Sequence, residues 1–350
     1  MSLGPLMIDV AGTSLTAEDR ELLLHPSVGS VILFSRNYTD PAQLQALAAE
    51  IHALRQPALL VAVDHEGGRV QRFRNGFTAL PALRQIGRHF DEQRAQGLQL
   101  ARQHGWLMAS ELLVCGVDFS FAPCVDLDYG MNAAIGERAL HPRGSVVAEL
   151  AVAYMHGMRE AGMAATAKHF PGHGAVVADS HFALPVDRRE LADLDDDLRP
   201  YRLLIDNGLP AVMVAHVLFP AVDRKPASFS RFWISEFLRG ELRFKGTVFA
   251  DDLSMLGAAG MGDIVERCAL ALAAGCDVLP VCNSREQVIR LIHGLQVQSD
   301  PARHLRLARM RGRPQFNALQ LRASNEWQIS ERAVTLCHEP PALQLRGASA

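Results

Sequence analysis

The chain has 350 residues, of which 49% are hydrophobic and 21% are charged, and its formal net charge is −3. This composition supports a large folded core and excludes a disordered chain, and the slightly negative charge argues against a nucleic-acid partner, which needs a concentrated basic face. Residues 1–9 lack the basic region of a signal peptide, and no uncharged apolar run reaches the length of a membrane span, so we expect no membrane association. The six cysteines form no C-x-x-C pair, which indicates buried thiols in a reducing cytoplasm.

Eight short apolar runs of strand length recur along the chain, with helical patterns between them. The predicted strands are Leu6–Val10, Ser30–Leu33, Leu59–Val63, Asp118–Ala122, Ala164–Ala167, Ala211–Ala215, Thr247–Ala250 and Asp277–Val281. These runs are continuously apolar, which is typical of a parallel sheet with helices on both faces. Eight strands alternating with helices predict an α/β fold, the (β/α)8 TIM barrel, because parallel neighbours need crossover connections and a barrel leaves no exposed edge. An open doubly wound sheet is the alternative architecture.

The segments between the strands carry signals for helix starts. Asp40 and Pro41 supply a cap and an N1 proline for one helix, and Ser284 opens another. Towards its C-terminus the chain becomes more basic, and we find no linker that would separate two domains. We therefore predict a single domain, in which residues 1–297 form the catalytic barrel and residues 298–350 form a C-terminal helical extension packed on it.

A barrel of this kind carries its active site at the carboxyl ends of the strands. Ionisable residues follow four of the predicted strands at that end, and the amino ends of the same strands lack them. They are Asp64 to Arg69 after strand three, Lys168 and His169 after strand five, His216 after strand six, and Asp251 and Asp252 after strand seven. This asymmetry predicts one active site built by the loops at the carboxyl ends.

One segment carries much of this chemistry: residues 168–181 read Lys-His-Phe-Pro-Gly-His-Gly-Ala-Val-Val-Ala-Asp-Ser-His. Its proline and glycines predict an irregular loop, and loops on a rigid scaffold concentrate binding and catalysis. His181 lies two residues from Asp179, so the carboxylate can fix the imidazole tautomer and leave the other ring nitrogen for proton transfer near neutral pH. The alternative is a metal site, which an H-x-x-x-H spacing on a loop does not favour. Its ligands would be His169, His173, Asp179 and His181.

Asp251 ends a buried strand, so its carboxylate is held on a rigid element at the barrel mouth, which suits a nucleophile or an electrostatic stabiliser. Asp252 competes for this role, but successive residues of an extended strand point to opposite faces, so only one of the two faces a ligand. A carboxylate nucleophile with a separate proton donor is the arrangement of a retaining glycosidase. Hydrogen bonds to a hydroxyl-rich ligand would come from Asp64, Arg72, Arg138, Lys168 and His169.

Residues 168–181, together with Phe249-Ala-Asp-Asp-Leu-Ser-Met255, resemble bacterial β-N-acetylhexosaminidases of glycoside hydrolase family 3. The single-domain branch of that family is a cytoplasmic enzyme of peptidoglycan recycling, and the resemblance extends from Asp64 to about Pro280. It implies Asp251 as the nucleophile and His181, backed by Asp179, as the general acid/base. It also implies sugar contacts from Asp64, Arg72, Arg138, Lys168 and His169. Two departures are visible, because Ala250 replaces the usual Ser or Thr and Ala139-Leu140 replaces a common Ser-Phe.

The function implied by this resemblance is retaining hydrolysis of β-linked N-acetylglucosamine (GlcNAc) from muropeptide fragments of the GlcNAc-anhydroMurNAc type. We expect a cytoplasmic monomer with a small carbohydrate substrate and with no metal or other cofactor. Three alternatives stay open: a β-glucosidase of the same family, a metal-dependent barrel hydrolase, and a non-catalytic sugar-binding barrel. Loss of activity in EDTA would favour the second, and hydrolysis of an aryl β-N-acetylglucosaminide would exclude the third.

Overall fold

The structure, a computed structural model, describes residues 3–177, 180, 183–298 and 300–337. Its strands are β1 (Leu6–Ile8), β2 (Val28–Leu33), β3 (Leu60–Val63), β4 (His65–Gly67), β5 (Val70–Gln71), β6 (Phe119–Ser120), β7 (Thr166–Phe170), β8 (Ala211–Val214), β9 (Thr247–Ala250) and β10 (Leu279–Val281). Eight of these strands are parallel, and β4 and β5 form a small antiparallel hairpin. All eight predicted strands are confirmed, with differences of a few residues at their ends.

The eight parallel strands follow one another in a ring. One sheet has the order β10-β1-β2-β3-β6 and the other has the order β7-β8-β9. Parallel bridges join the two sheets at both ends, between Cys124 and Lys168 on one side and between Phe249 and Val278 on the other. The predicted α/β barrel is therefore confirmed. At the two junctions between the sheets, single bridges replace the continuous hydrogen bonding of neighbouring strands.

Helices cover the outside of the ring. They are α1 (Ala17–Leu24), α2 (Pro41–Ala53), α3 (Leu83–Glu92), α4 (Arg94–Val114), α5 (Gly144–Ala161), α6 (Asp195–Asp206), α7 (Ile264–Ala274), α8 (Arg285–Gly294), α9 (Pro301–Ala308), α10 (Ala318–Ala323) and α11 (Asn325–Leu336). A π-helix, Phe232–Glu241, connects β8 to β9. The predicted helix starts are confirmed, since the Asp40 side chain caps α2 and Ser284 is the residue before α8. No helix in the described ranges is long and apolar enough to cross a lipid bilayer.

One local expectation was wrong. The loop expected from residue 168 onwards begins at Pro171 instead, because Lys168 and His169 belong to β7. The strand continues this far because Phe170 is buried and pairs with Val214 of β8. The connection between β3 and α3 contains the β4–β5 hairpin, whose turn passes through Gly67 and Gly68, both with positive φ values.

The interior of the barrel is filled with aromatic side chains. Phe119, Phe121 and Phe249 pack against one another with ring centroids 5.2–5.6 Å apart. All three are fully buried. Close packing of this kind gives a stiff base for groups at the strand ends. The side chains that follow β3, β7 and β9 are consequently held on a rigid support.

The C-terminal helices contact the barrel through buried carboxylates. Arg306 of α9 pairs with Asp277 at 2.6 Å, and Arg311 pairs with Asp118 at 2.9 Å. The Trp327 indole of α11 donates to the Glu111 carboxylate of α4 at 2.9 Å. The division of the chain at residues 297/298 stays a prediction, and residues 338–350 lie outside the described part.

Candidate active site

A cavity of about 300 Å³ lies at the carboxyl ends of the strands. It is lined by six of the predicted site residues, which come from three different strand ends and two loops: Asp64, Arg72, Arg138, Lys168, His169 and Asp251. Its apolar lining includes Ile32, Phe121 and Met213. A concave site with an apolar base and convergent polar groups is typical of a small-molecule binding site.

Lys168 is the charged centre of this cavity. Its side chain is 2% exposed, and its ammonium lies 2.8 Å from Asp64 Oδ1 and 2.5 Å from Glu66 Oε1. Arg138 holds the same Glu66 carboxylate in a bidentate pair, with distances of 2.9 and 2.8 Å. Two cations and two carboxylates thus form one connected network, and Asp64 is also 3.7 Å from the Arg72 guanidinium.

This network keeps its members ionised despite burial. Burial alone would raise the pKa of Glu66, but the adjacent Arg138 and Lys168 lower it well below the usual glutamate range. Burial would likewise lower the pKa of Lys168, yet the carboxylates of Asp64 and Glu66 raise it. Breaking a buried ion pair by removing one partner is much more destabilising than breaking an exposed one.

We expect Glu66→Gln to lower the free energy of unfolding by about 3 kcal/mol, because it leaves buried cations without their shared counter-ion. It should also lower kcat/KM, since Lys168 and Arg138 line the cavity. Urea unfolding and a hydrolysis assay measure the two effects. The control is Glu286→Gln in the exposed pair with Arg290, which should change stability by less than about 0.5 kcal/mol. Equal stability losses for the two variants would contradict the prediction.

His169 is fixed from behind by Asp126. The Asp126 carboxylate accepts hydrogen bonds from His169 Nδ1 at 2.7 Å and from the His169 backbone N–H at 3.2 Å. Burial opposes ionisation of Asp126, but the neighbouring His169 lowers its pKa to about 2. Because Nδ1 is thereby protonated, Nε2 is the ring nitrogen left for a ligand. It lies 3.5 Å from an Arg138 Nη2.

Asp251 follows β9 directly, and its backbone N–H donates to Val214 of β8 at 3.0 Å. The carboxylate of the neighbouring Asp252 is held by three hydrogen bonds. Its Oδ1 accepts from the Ser254 backbone N–H, the Ser254 hydroxyl and the Cys282 backbone N–H. Burial raises the pKa of Asp252 to about 6, so it is partly protonated near neutral pH. Asp251 Oδ1 accepts from the Asp252 backbone N–H at 2.9 Å, and both residues line the cavity.

His216, at the end of β8, does not line this cavity. Its ring is fully buried and lies 2.6 Å from the Ser228 hydroxyl and 3.0 Å from the Asp252 carbonyl oxygen. It therefore supports the backbone after β9 and makes no contact with the cavity space. Asp179 and His181, the predicted proton-transfer pair, lie outside the described residues. Ser180, the residue between them, lines the cavity.

Sequence reasoning did not assign roles to Glu66, Asp126 or Ser180. Glu66 lies within the ionisable range Asp64 to Arg69 after predicted strand three, but its partners are about 70 and 100 positions away in the chain. Asp126 follows strand four and ends an apolar run, which is the signal that could have identified it.

Among the described residues, one group of side chains has a spacing compatible with a metal ion: Cys124, Asp126 and His169. Hydrogen bonds already account for this spacing, because Asp126 accepts from His169 and the Cys124 thiol. The metal site considered from the sequence is not tested by the structure, since two of its four ligands lie outside the described part. The expectation of no metal remains a prediction.

Comparison with known proteins identifies the family of the chain. The Glycosyl hydrolase family 3 N-terminal domain matches residues 6–306. The chain belongs to glycosyl hydrolase family 3.

Family 3 relatives resemble the chain over nearly its whole length. A β-hexosaminidase from Thioalkalivibrio sulfidiphilus is 52% identical over 345 residues, which is 99% of each chain. One from Thiobacillus denitrificans is 56% identical over 315 residues, which is 90% of this chain and 88% of the relative. NagZ from Neisseria gonorrhoeae, solved in complex with N-trifluoroacetyl-D-glucosamine, is 42% identical, covers 97% of this chain and 99% of its own, and has a TM-score of 0.92. The predicted family and the predicted enzyme class, β-hexosaminidase, are confirmed.

Proposed function

We propose that this family 3 enzyme is a retaining β-N-acetylhexosaminidase that removes a terminal β-linked GlcNAc through a covalent glycosyl-aspartate intermediate on Asp251. The composition of the cavity supports this most directly. A strand-end carboxylate, Asp251, shares a small site with the ion-pair network around Lys168 and with His169. The relatives named β-hexosaminidase and the NagZ complex with a GlcNAc analogue support the identity of the sugar.

In the first half of the proposed reaction, an Asp251 carboxylate oxygen attacks the anomeric carbon. The bond from that carbon to the aglycone oxygen breaks, and the His181 imidazolium gives its proton to the leaving oxygen. In the second half, neutral His181 takes a proton from water as the water oxygen attacks the anomeric carbon and releases Asp251. Asp179 would accept a hydrogen bond from the other ring nitrogen and stabilise the imidazolium.

The remaining residues would bind the sugar hydroxyls. The Lys168 ammonium and the guanidinium groups of Arg72 and Arg138 donate, and the Asp64 carboxylate accepts. His169 Nε2 accepts as well, because Asp126 fixes the proton on Nδ1. Donors that are already held in ion pairs need little reorganisation when a ligand binds. They would therefore hold the sugar in one defined orientation.

Aryl β-GlcNAc should be cleaved with a kcat/KM on the order of 100-fold or more above that of aryl β-glucoside. A site that hydrogen-bonds the acetamido group leaves its own polar groups unpaired when the group is missing. Initial-rate measurements with the two 4-nitrophenyl glycosides test this. Comparable kcat/KM values would place the protein on the β-glucosidase side of the family, and the proposed sugar would be wrong.

We further propose that the natural aglycone is a muropeptide fragment and that the enzyme acts in the cytoplasm as a monomer. The sequence resemblance supports the muropeptide, and the six cysteines, all buried free thiols, suit a reducing compartment. Hydrolysis of GlcNAc-anhydroMurNAc peptides by the purified protein tests the substrate. Cell fractionation tests the location, and light scattering in solution tests the monomer.

A further inference from the structure

Arg69 is a cation of the cavity lining that stays outside the ion-pair network. It lines the cavity together with Arg72, Arg138 and Lys168. Each of those three side chains forms an ion pair with a carboxylate of the network around Lys168. Arg69 forms none with the residues that the structure describes, so its charge is not balanced by a neighbouring carboxylate there.

Backbone carbonyl groups hold the Arg69 side chain in place instead. Its Nη2 atom donates to the Ala133 oxygen at 3.3 Å and also to the Ala134 oxygen. Both alanines lie in the connection between β6 and α5, whereas Arg69 lies in the turn of the β4–β5 hairpin. The Nε and Nη1 atoms donate to no atom of the described residues. A guanidinium fixed in this way keeps free donors for a carboxylate, and little side-chain freedom is lost when one binds.

Arg69 lies across the barrel mouth from the proposed nucleophile. In the ring of parallel strands, β3 and β9 are four strands apart in either direction, counted as β3-β2-β1-β10-β9 or as β3-β6-β7-β8-β9. Asp251 directly follows β9, and the hairpin that carries Arg69 follows β3. In a displacement by a carboxylate, the bond to the leaving oxygen points away from the attacking oxygen. The aglycone of the proposed reaction therefore leaves towards the half of the mouth that carries Arg69.

Arg69 also lies nearer to solvent than the proposed sugar contacts. The side chains of Lys168 and Arg138 are 2% and 13% exposed, whereas Arg69 is an exposed residue. A second cavity, of about 260 Å³, has Arg69 and Arg138 in common with the first. Space beside Arg69 is therefore available for a group that extends beyond a buried sugar.

The carboxylates described in the lining of this second cavity, Glu66 and Glu137, do not pair with Arg69. Glu66 belongs to the network with Lys168, and Glu137 lies 4.0 Å from the Arg88 guanidinium. An acidic ligand beside Arg69 would therefore meet an unpaired cation, together with carboxylates whose charge is already balanced by other side chains.

We propose that Arg69 binds a carboxylate of the aglycone, so that the enzyme prefers GlcNAc attached to an acidic group over GlcNAc attached to a neutral one. The inference rests on the proposed function, because it concerns the group that leaves the sugar at that site. The lactyl ether of a muramic acid residue is such an acid, since its carboxylate lies close to a GlcNAc linked at the neighbouring hydroxyl. Hydrogen bonds between a guanidinium and a carboxylate are stronger than those between neutral groups, and a bidentate pair also fixes orientation.

The test uses two disaccharides that differ only in charge. One is GlcNAc-β-1,4-MurNAc with its lactyl carboxylate, and the other is the same compound with that carboxylate converted to the primary amide. The wild-type kcat/KM should be about 5-fold or more higher for the acid, mainly through a lower KM, because the contact is made in the bound state as well as in the transition state. The ratio of the two kcat/KM values is the readout. Partial loss of folded protein lowers both values equally and leaves this ratio unchanged.

Arg69→Gln should reduce the acid-to-amide ratio to below about 2, since the new side chain can donate hydrogen bonds but has no charge. Arg74→Gln is the matched control. Arg74 is an exposed arginine of the same segment that donates to the Gly68 carbonyl at 2.9 Å and is not among the residues that line the active-site cavity. Its replacement removes the same net charge and should keep the wild-type ratio. Equal reductions by the two variants would contradict a specific contact with Arg69.

The wild-type enzyme provides a second measurement that needs no variant. Raising the salt concentration from about 0.02 M to about 0.5 M should lower the ratio about 2-fold or more, because salt screens an exposed ion pair. A wild-type ratio near 1, or a ratio that Arg69→Gln leaves unchanged, would overturn the proposal. Failure of the proposed function has a different outcome, namely no hydrolysis of 4-nitrophenyl β-GlcNAc, whose aglycone carries no carboxylate.

Discussion

Asp251→Ala is expected to lower kcat/KM for aryl β-GlcNAc by on the order of 10⁴-fold or more, which is the usual size of the rate loss when a catalytic nucleophile is removed. The physical reason is that Asp251 directly follows β9 and is proposed to form the covalent bond to the sugar. Asp252→Asn should keep much more activity. Its carboxylate is engaged by the Ser254 and Cys282 groups, and burial raises its pKa to about 6.

Two measurements identify the nucleophile beyond loss of rate. A fluorinated β-GlcNAc analogue that slows the second half-reaction should leave its sugar on the peptide that contains residues 249–255, and fragmentation should place it on Asp251. The first sugar product, followed by NMR, should be the β-anomer, because two displacements retain configuration. An initial α-anomer, or a label on Asp252, would contradict the proposed mechanism.

The scaffold could be predicted from the sequence because its signals are local. Continuous apolar runs mark the strands, and β9 has the predicted bounds, Thr247–Ala250. The β4–β5 hairpin could not be predicted in the same way, since its strands are two and three residues long and include polar side chains. Burial of His65 and Glu66 there depends on packing against distant parts of the chain.

Six of the predicted site residues line one cavity, but the contacts among them could not be predicted from the sequence. The expectation that strand ends bring Asp64, Lys168 and Asp251 to one cavity follows from the barrel topology. The ion-pair partners of these residues do not follow from the topology. Glu66 pairs with both Lys168 and Arg138, which lie far from it in the chain and at no regular spacing. Asp126 had a local signal, since it ends an apolar run after strand four, but its contacts with His169 and His173 had none. Ion pairs and hydrogen bonds of this kind, between residues far apart in the chain, are determined by three-dimensional packing.

His181→Ala should show the second of the two largest effects, a loss of roughly 10²–10⁴-fold in kcat/KM for substrates with poor leaving groups, which is the usual contribution of a general acid. The loss should shrink as the aglycone becomes more acidic, because 2,4-dinitrophenolate leaves without a proton. The pH profile supplies an independent check. Imidazolium is the form that donates, so the wild-type kcat/KM for a poor leaving group should fall as pH rises through the pKa of His181, and the variant should lose this limb.

Asp179→Asn should reproduce this pattern more weakly. The amide can still accept a hydrogen bond, so the imidazole keeps much of its orientation but loses the charge that favours its protonated form. His156→Ala, on the outer helix α5, is the control and should match the wild type for every leaving group. If His181→Ala instead lowered kcat/KM for the dinitrophenyl and methoxyphenyl substrates equally, His181 would not be the acid. The proton would then have to come from another group in the cavity, and Asp252, which lines the cavity and whose pKa burial raises to about 6, would be the next residue to replace.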